Sequence, residues 1–202
     1  MSAIRLIVGL GNPGTQYEGT RHNAGAFFVR RLAMLHGLIL SADRNALGDS
    51  ARGIVAGHDL RLLVPQTFMN DSGRSVATVA SYYRVDPTEI LIAHDELDIP
   101  PGESRIKHDG GHGGHNGLRD IIPALGNRKN FWRLRIGIGH PGSARQVSSW
   151  VLSKASTADQ IAIEASIESA ISALPLLLDG DAVKAMTALH SENHQPPANN
   201  ED

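Results

Sequence analysis

Cysteine is absent from this chain of 202 residues. Its absence excludes disulfide bonds, thiolate nucleophiles and cysteine-based zinc sites, and it permits a reducing compartment. Long apolar runs are absent too, since stretches such as residues 6–10 and 174–178 fall far short of the roughly 20 residues that a membrane-spanning helix requires. The N-terminus also lacks the long apolar region and the small-residue cleavage site of a secretory signal. We therefore predict a cytoplasmic protein that does not interact with a membrane.

A nucleophile motif of the G-x-S-x-G type is likewise missing. Because the chain has neither this motif nor a thiol, a covalent acyl-enzyme intermediate is poorly supported. If the protein is a hydrolase, water is left as its nucleophile.

The chain has little net charge, −2, but its charges are unevenly distributed. Residues 101–150 contain eight lysines or arginines against three acidic residues, whereas the last 52 residues contain two lysines against eight acidic residues. This asymmetry predicts a basic patch that attracts a polyanion and a repulsive surface elsewhere. The alternative is an ordinary solvated face of charged side chains.

Apolar patterning predicts strands that alternate with helices. The predicted strands are residues 4–9, 52–56, 60–64, 89–93 and 132–138, with a short one around Arg105 and Lys107. The predicted helices are residues 23–36, 76–83, 118–125, 157–178 and 181–189. This order is typical of one α/β domain whose mixed, mostly parallel twisted sheet is flanked by helices on both faces. We place the domain at residues 1–190 and a polar, disordered tail at residues 191–202.

Ligands of such sheets bind at the carboxyl ends of the strands. Polar groups follow three predicted strands, at Asn12, at residues 68–70 and at Asp95. The sequence therefore predicts a site where these three segments meet.

Gly9, Gly11 and Gly14 satisfy the dinucleotide-binding pattern G-x-G-x-x-G after a strand, so a nucleotide-binding module is one alternative. However, Pro13 removes a backbone donor, and no acidic residue occurs at positions 31–40, where the ribose ligand is expected. We favour a tight loop whose glycines hold Asn12 in a pocket.

His22 follows that loop, and Asp95 follows a buried strand. Taken singly, His22 has a structural interpretation and Asp95 has one as a turn or capping residue. Together they suggest a general base, because a carboxylate near an imidazole fixes its tautomer, stabilises the imidazolium and raises its pKa.

Five glycines occur between Gly110 and Gly117, which lets the backbone approach a ligand closely. His108, His112 and His115 would suit zinc, but such a loop is a poor rigid frame and no H-E-x-x-H pattern occurs. We predict neither a metal nor a cofactor. Asn116 is either an N-cap of the following helix or a hydrogen-bond donor to substrate.

Five ordered motifs combine over about residues 4–189: GLGNPGTQY (9–17), TRHNAG (20–25), FMN (68–70), HDELD (94–98) and GGHGGHNG (110–117). In these motifs the chain resembles the bacterial peptidyl-tRNA hydrolase family. The resemblance implies hydrolysis of the ester between a peptide and the terminal ribose of tRNA, by a monomer without metal or cofactor.

The resemblance also implies roles for single residues. His22 would activate water with support from Asp95. The pocket amides that bind the peptide and hold the ester carbonyl would be Asn12, Asn70 and Asn116. Supporting pocket residues would be Tyr17 and His115, with Phe68 and Met69 as apolar lining. Neutral amides bind a peptide amide but do not compensate a free ammonium group, so aminoacyl-tRNA should be spared.

The basic residues that the resemblance assigns to the tRNA acceptor end are Arg105, Lys107, Arg133 and Arg135. The family usually has lysine at the position of Arg105, and commonly an apolar residue and a glycine at those of His108 and Asp109. Some relatives of this fold are RNA-associated proteins without hydrolytic activity. All the catalytic positions are present here, which favours the enzyme.

Overall fold

The computed structural model describes residues 3–192, and this part of the chain contains seven strands and six α-helices. The strands are β1 (Leu6–Gly9), β2 (Ser41–Asp43), β3 (Gly48–Val55), β4 (His58–Pro65), β5 (Ile90–Glu96), β6 (Ser104–His108) and β7 (Trp132–Gly137). The helices are α1 (Ala24–Leu35), α2 (Ser72–Tyr82), α3 (Asn116–Ala124), α4 (Val147–Val151), α5 (Thr157–Leu178) and α6 (Ala182–Glu192).

The strands form one sheet in the order β2-β3-β4-β1-β5-β7-β6. The pairs β4-β1, β1-β5 and β5-β7 are parallel, and the other three pairs are antiparallel. Only β3 and β6 therefore run against the remaining described strands. The predicted mixed sheet is confirmed.

Two apolar cores lie on opposite faces of this sheet, because successive side chains of a strand point to opposite sides. In β1, Ile7 packs into a core that includes residues of α1, α5 and α6. Its neighbours Leu6 and Val8 pack into a second core with residues of α2 and α3. Helices thus cover both faces, as predicted.

Two short elements were not predicted from the sequence, β2 and α4. They contain only three and five residues, and none of these residues is buried. Both are too short for an apolar pattern to identify them, although Val147, Trp150 and Val151 of α4 do have helical spacing. At the C-terminus, α6 extends to Glu192, so the first two residues of the predicted disordered tail are helical. The rest of that tail, residues 193–202, lies outside the described residues.

Helix α5 is long and apolar enough to cross a membrane by length and composition, with a mean hydropathy of 1.6 over its most apolar part. Polar residues interrupt its apolar runs, so no long apolar run marks this helix in the sequence. Eight of its residues are buried, and Ile163, Ile167 and Leu174 belong to the core that it shares with α1 and α6. Its packing is that of a core helix, a type that meets the same two criteria.

The carboxyl ends of β4, β1 and β5 lie side by side, so the segments that follow them meet at one edge of the sheet. Two glycines bring α1 against this edge. A Cβ atom on Gly25 would lie 2.1 Å from the carbonyl oxygen of Ala93, and one on Gly9 would lie 2.3 Å from that of Gly25. Only glycine permits this approach of backbone to backbone, which places His22, just before α1, beside the end of β5.

Candidate active site

A cleft of about 910 Å³ opens at these carboxyl ends. Eight of the residues predicted from the sequence line it: Asn12, His22, Phe68, Met69, Asn70, Asp95, His115 and Asn116. Tyr17 takes part indirectly, since its ring lies edge-on to that of Phe68 with 6.3 Å between the centroids. The rule that ligands bind at the carboxyl ends of the strands therefore predicted the position of the cleft correctly.

His22 and Asp95 meet at the floor of the cleft. His22 occupies a 3-10 turn before α1, and its Nδ1 lies 2.8 Å from Oδ1 of Asp95. This hydrogen bond places the proton on Nδ1, so Nε2 carries the lone pair. No residue in the described part of the chain hydrogen-bonds Nε2 of His22. His22 therefore has the free nitrogen that a general base requires.

His115 is the second imidazole on the same carboxylate oxygen, with Nε2 2.9 Å from Oδ1 of Asp95. Its Nδ1 accepts hydrogen bonds from the backbone N–H groups of Gly117 at 3.1 Å and Leu118 at 3.4 Å, which makes His115 the N-cap of α3. Both ring nitrogens are thus occupied, and the partners assign the proton to Nε2. His115 can hold Asp95 but cannot take a proton from water. We call His22, Asp95 and His115 the His-Asp-His cluster.

The electrostatics of the cluster agree with these roles. Burial alone would lower the pKa of His22, but the charge and hydrogen bond of Asp95 outweigh it, and the pKa is raised. Burial would likewise raise the pKa of Asp95, yet the two histidines hold it well below its usual range. Asp95 is therefore ionised at neutral pH and stabilises the imidazolium form of His22.

A third histidine, His94, lies under the cluster and stays neutral. Burial, followed by the charge of His115, lowers the pKa of His94 to about 3. Its Nδ1–H donates to the backbone carbonyl oxygen of Asp95 at 2.8 Å, and its ring stands edge-on to that of His115 at 4.9 Å. His94 thus supports the backbone of Asp95.

Asn12 is clamped on two sides. The side chain of Asn23 accepts from the backbone N–H of Asn12 at 2.8 Å and donates to its carbonyl oxygen at 3.0 Å. The Oδ1 of Asn12 accepts from the backbone N–H of Met69 at 2.8 Å. The amide nitrogen of Asn12 is therefore directed to donate, and Asn23, which we did not predict, joins the loop to the turn of His22.

The glycines of this loop do not form a dinucleotide site. A 3-10 turn, Thr15–Tyr17, follows Gly14, and the next helix begins only at Ala24. The loop therefore does not open into a helix whose N-terminal N–H groups would hold a pyrophosphate.

Asn116 is the first residue of α3, and the N-cap role considered for it belongs to His115. Its Oδ1 accepts from Nη1 of Arg119 at 2.8 Å, which leaves the amide nitrogen as the donor group. Asn70 is exposed in the 3-10 turn Met69–Asp71. The three predicted amides thus line one cleft.

Arg21 holds the turn of His22 in place, a role that no motif indicated. Its side chain is buried, and Nη1 donates to the carbonyl oxygen of Lys154 at 2.9 Å and to Oγ of Ser153 at 2.8 Å. Its guanidinium carbon lies 3.6 Å from the ring centroid of Trp150. These partners are more than 120 residues away in sequence, so only the tertiary structure reveals them.

An apolar wall on one side of the cleft was also missed. Leu97 follows β5, and the rest of the wall comes from the region of α4, namely Ala144, Val147, Val151 and Leu152. The signal for it in the sequence was the helical spacing of Val147, Trp150 and Val151, over a segment too short to be recognised as a helix.

The four predicted basic residues lie on the neighbouring strands β6 and β7. In the antiparallel register, Arg105 faces Arg135 and Lys107 faces Arg133. We call these four the basic strand pair. Like charges directly opposite each other destabilise a sheet, so this arrangement favours a bound polyanion.

The members of the basic strand pair differ in exposure. Arg105 and Lys107 are exposed, and Arg135 is half-buried with its Nε 2.9 Å from Oε2 of Glu96. Arg133 is only 2% exposed, and its Nη2 donates to the carbonyl oxygen of Gly110 at 2.6 Å. Direct contact of Arg133 with a phosphate, as the resemblance implied, does not fit this position.

The histidines of the glycine-rich loop do not converge as a zinc site would. His108 packs against the ring of Trp132 at 4.6 Å, and Nδ1 of His112 accepts from the backbone N–H of Gly114. Within residues 3–192, the one group of potential metal ligands is the His-Asp-His cluster, whose ligand atoms lie within 4.8 Å of one another. There the imidazole N–H groups hydrogen-bond Asp95.

Comparisons with known proteins agree with this geometry. The chain matches the family described as "Peptidyl-tRNA hydrolase" over residues 6–197. It is 57% identical over 192 residues to a peptidyl-tRNA hydrolase from Pseudomonas putida, an alignment that covers 95% of this chain and 99% of that protein. A peptidyl-tRNA hydrolase from Chromohalobacter salexigens is 55% identical over 193 residues, which cover 96% of this chain and all of the relative (100%).

Solved structures show the same fold. The crystal structure of peptidyl-tRNA hydrolase from Acinetobacter baumannii superposes with a TM-score of 0.91 at 52% identity and covers 98% of both chains. A peptidyl-tRNA hydrolase in complex with N-propanol superposes with a TM-score of 0.90, also at 52% identity, over 96% of this chain and 97% of that one. The likeness extends over the sheet, both helical layers and the cleft.

Proposed function

This chain belongs to the peptidyl-tRNA hydrolase family, and from that premise we propose that His22 is its general base, held and charged by Asp95. The reaction is hydrolysis of the ester bond between a peptide and tRNA. One observation carries the assignment: Oδ1 of Asp95 accepts from both imidazoles, at 2.8 and 2.9 Å, and only His22 keeps a free ring nitrogen.

In the proposed mechanism, Nε2 of His22 takes a proton from water as the oxygen attacks the ester carbonyl carbon. The tetrahedral intermediate then collapses, the bond to the ribose oxygen breaks, and the proton on Nε2 passes to that oxygen. The products are a peptide with a free carboxyl group and a tRNA with a free terminal hydroxyl. Asp95 stays ionised throughout and stabilises the imidazolium while it exists.

We assign the stabilisation of the negative charge that develops on the carbonyl oxygen to side-chain amide donors, chiefly Asn12. Its amide nitrogen is oriented because Met69 occupies Oδ1, and the clamp by Asn23 fixes the backbone. A donor that is oriented before the reaction stabilises the transition state without reorganisation. Asn116, whose Oδ1 is taken by Arg119, and Asn70 bind the peptide backbone.

The peptide lies along the apolar wall, with Phe68 and Met69 opposite and with Tyr17 and His115 supporting the pocket. Neutral amides can bind the first peptide bond of the substrate but offer nothing to the free ammonium group of aminoacyl-tRNA. The enzyme therefore distinguishes peptidyl-tRNA from aminoacyl-tRNA by the α-nitrogen of the residue esterified to the tRNA, which is an amide in the first and a free ammonium group in the second.

The tRNA acceptor end binds along β6 and β7. Arg105, Lys107 and Arg135 are the members of the basic strand pair that can reach phosphates, since all three have exposed surface. Within residues 3–192, Lys107 has no carboxylate partner, whereas Arg105 and Arg135 are paired with Glu103 and Glu96. Lys107 is thus the cation most available to RNA.

We also infer a monomer that works in the cytoplasm, where its substrate arises. One chain supplies every side chain of the cleft, so the proposed chemistry needs no second copy. Sedimentation equilibrium at working concentrations would test this, and a stable dimer would contradict it.

The test of the function is single-turnover cleavage of a defined peptidyl-tRNA, with the aminoacyl-tRNA of the same tRNA as the matched substrate. We expect release of peptide from the first and negligible release from the second. Excess chelator should leave the rate unchanged, because imidazole rather than a metal activates water. Binding of peptidyl-tRNA without cleavage would instead favour a non-hydrolytic RNA-binding protein, and restoration by zinc after chelation would indicate a metal at the His-Asp-His cluster.

A further inference from the structure

We propose that Arg133 is a positioning residue that holds the glycine-rich loop, Gly110–Gly117, in the conformation required for catalysis, rather than a ligand of tRNA. The inference rests on the proposed roles of His115 and Asn116, which end this loop. It separates Arg133 from the other three members of the basic strand pair.

The guanidinium of Arg133 is held at the base of the loop. Its Nη2 donates to the carbonyl oxygens of Gly110 at 2.6 Å and Lys129 at 3.4 Å, and its carbon lies 4.2 Å from the ring centroid of Phe131. The backbone N–H of Asp109 donates to the carbonyl oxygen of Phe131 at 3.1 Å. Asp109, just before the loop, and Gly110, its first residue, are therefore tied to Phe131, just before β7, and to Arg133 within β7.

Lys107 and Arg133 both lie against Gly110. A Cβ atom on Gly110 would lie 3.2 Å from Nζ of Lys107 and 3.5 Å from Nη1 of Arg133, so both cations lie on the side where a side chain would project. The φ of Gly110 is +120°, a conformation that favours glycine. The absence of a side chain at this position thus leaves room for both cations.

Arg133 is poorly placed to meet RNA. Its Nε and Nη1 atoms are buried, and no described residue accepts a hydrogen bond from them. A phosphate could reach them only if the loop moved away. A buried cation with unsatisfied N–H groups also destabilises a fold, so stability alone does not explain this residue.

Asp109 supplies the nearest compensating charge. Burial lowers the pKa of Arg133 to about 10, and the carboxylate of Asp109 opposes this shift. The carboxylate itself accepts from the backbone N–H of Gly110. Within residues 3–192, Asp109 forms no ion pair with its neighbours Lys107 and His108. Asp109 instead belongs to the anchor of the loop.

The far end of the loop carries the chemistry. Six residues after Asp109, His115 hydrogen-bonds Asp95 and caps α3, and Asn116 follows it into the cleft. Between them, three of the five glycines adopt positive φ, at Gly110, Gly113 and Gly114, and residues 112–115 form a turn held by its own hydrogen bonds. The position of this turn against the sheet depends on the contacts at its two ends. Loss of the anchor should therefore loosen His115 and Asn116.

The experiment compares Arg133→Met with Lys107→Met, each of which removes one cation from the basic strand pair. For Arg133→Met we expect kcat to fall about 10-fold to 100-fold through misplacement of the site, with the salt dependence of kcat/KM unchanged. For Lys107→Met we expect the converse, a higher KM and a salt slope lower by about one unit. Hydrogen exchange of the loop amides should accelerate in Arg133→Met while the amides of α5 keep wild-type protection.

A minimal substrate, an N-acylated aminoacyl ester of adenosine, sharpens the test because it lacks the acceptor stem. Arg133→Met should slow its cleavage as much as that of peptidyl-tRNA, whereas Arg52→Met, which removes an exposed arginine of β3, should leave it at the wild-type rate. Arg133→Lys, which keeps the charge near Gly110, should recover part of kcat. Wild-type and His22→Ala proteins in the same assays give the full rate and the rate without the general base. If these two rates do not differ, the proposed function fails, whatever the result for Arg133.

A salt slope lowered by about one unit with kcat intact in Arg133→Met would overturn the proposal, because it would place Arg133 on a phosphate. Wild-type exchange of the loop amides would overturn it as well. If Arg133→Met does not fold, Gly110→Ala displaces the same carbonyl group without removing a charge. That variant should lower kcat at an unchanged salt slope, and normal turnover by it would contradict the anchor.

Discussion

The His-Asp-His cluster and the basic strand pair hold their charges in opposite ways. In the cluster, one carboxylate is buried and both of its imidazole partners lie within 2.9 Å. On β6 and β7, cations face cations, and Arg105 and Lys107 are exposed. Burial makes the first arrangement depend on geometry, whereas water and salt screen the second.

This difference predicts how each region responds to change. Substitutions in the cluster should lower turnover and leave substrate binding intact. Substitutions of exposed cations should weaken binding in a salt-dependent manner and leave turnover intact. Arg133 tests the boundary between the two regions, because it belongs to the basic strand pair by its position on β7 but is buried like the cluster.

The largest effect is expected for His22→Ala. Removal of the only free imidazole nitrogen in the cluster should lower kcat by roughly 10²-fold to 10⁴-fold, the range for loss of a general base. Single-turnover rates measure this, and a binding assay with uncleaved peptidyl-tRNA should give a near wild-type Kd. Near-normal hydrolysis would refute the assignment and would erase the contrast between the two regions.

Asp95→Asn should lower kcat by about 10²-fold while the protein folds normally, because a neutral amide no longer stabilises the imidazolium. The pH profile identifies the cause. Asp95 raises the pKa of His22, so the wild-type enzyme should lose activity as pH falls through a value above the ordinary histidine pKa. In the variant, burial remains without the carboxylate, and the acid limb of kcat/KM should move to lower pH. An unmoved limb would mean that another group titrates.

Neutralisation of Lys107 or Arg135 should raise KM about threefold to tenfold at moderate salt, lower the salt slope by about one unit and leave kcat nearly unchanged. Arg52→Met is the matched control, since this exposed arginine lies on β3, toward the edge of the sheet opposite β6 and β7. It should change neither quantity. A fall in kcat with an unchanged slope would exclude the RNA role of the residue tested.

The smallest effect is expected for Asp109→Gly. Asp109 has φ +64°, a backbone conformation that glycine adopts without strain, and the bond between Arg133 and Gly110 remains in the variant. The value of kcat/KM should change less than about threefold, below about 0.7 kcal/mol. Asp109→Asn, which removes only the charge, is the control. A gain of tenfold or more at low salt that vanishes at high salt would show that the carboxylate faces RNA.

Much of the fold and of the cleft followed from local pattern. The alternation of predicted strands and helices predicted the α/β sheet. The rule that ligands bind at the carboxyl ends of strands predicted that Asn12, residues 68–70 and Asp95 lie at one edge. Gly9 of the first motif and Gly25 of the second proved to serve close packing, since they let α1 touch the sheet. These features depend on neighbours in sequence or on the regular geometry of strands, which a pattern can encode.

The sequence by itself thus determined the order of elements, the edge where the site forms and the residue types that can perform the chemistry. Only the tertiary structure decided which histidine is free, because Asp95, distant in sequence from both, binds Nδ1 of His22 but Nε2 of His115, whose Nδ1 already caps α3. It also decided that Arg133 is buried beneath the loop while Lys107, three positions before that loop, is exposed. Lys107 and Arg133 face each other on paired strands and therefore lie on the same face of the sheet. The segment that covers each residue there depends on contacts between distant parts of the chain, which no local sequence pattern records.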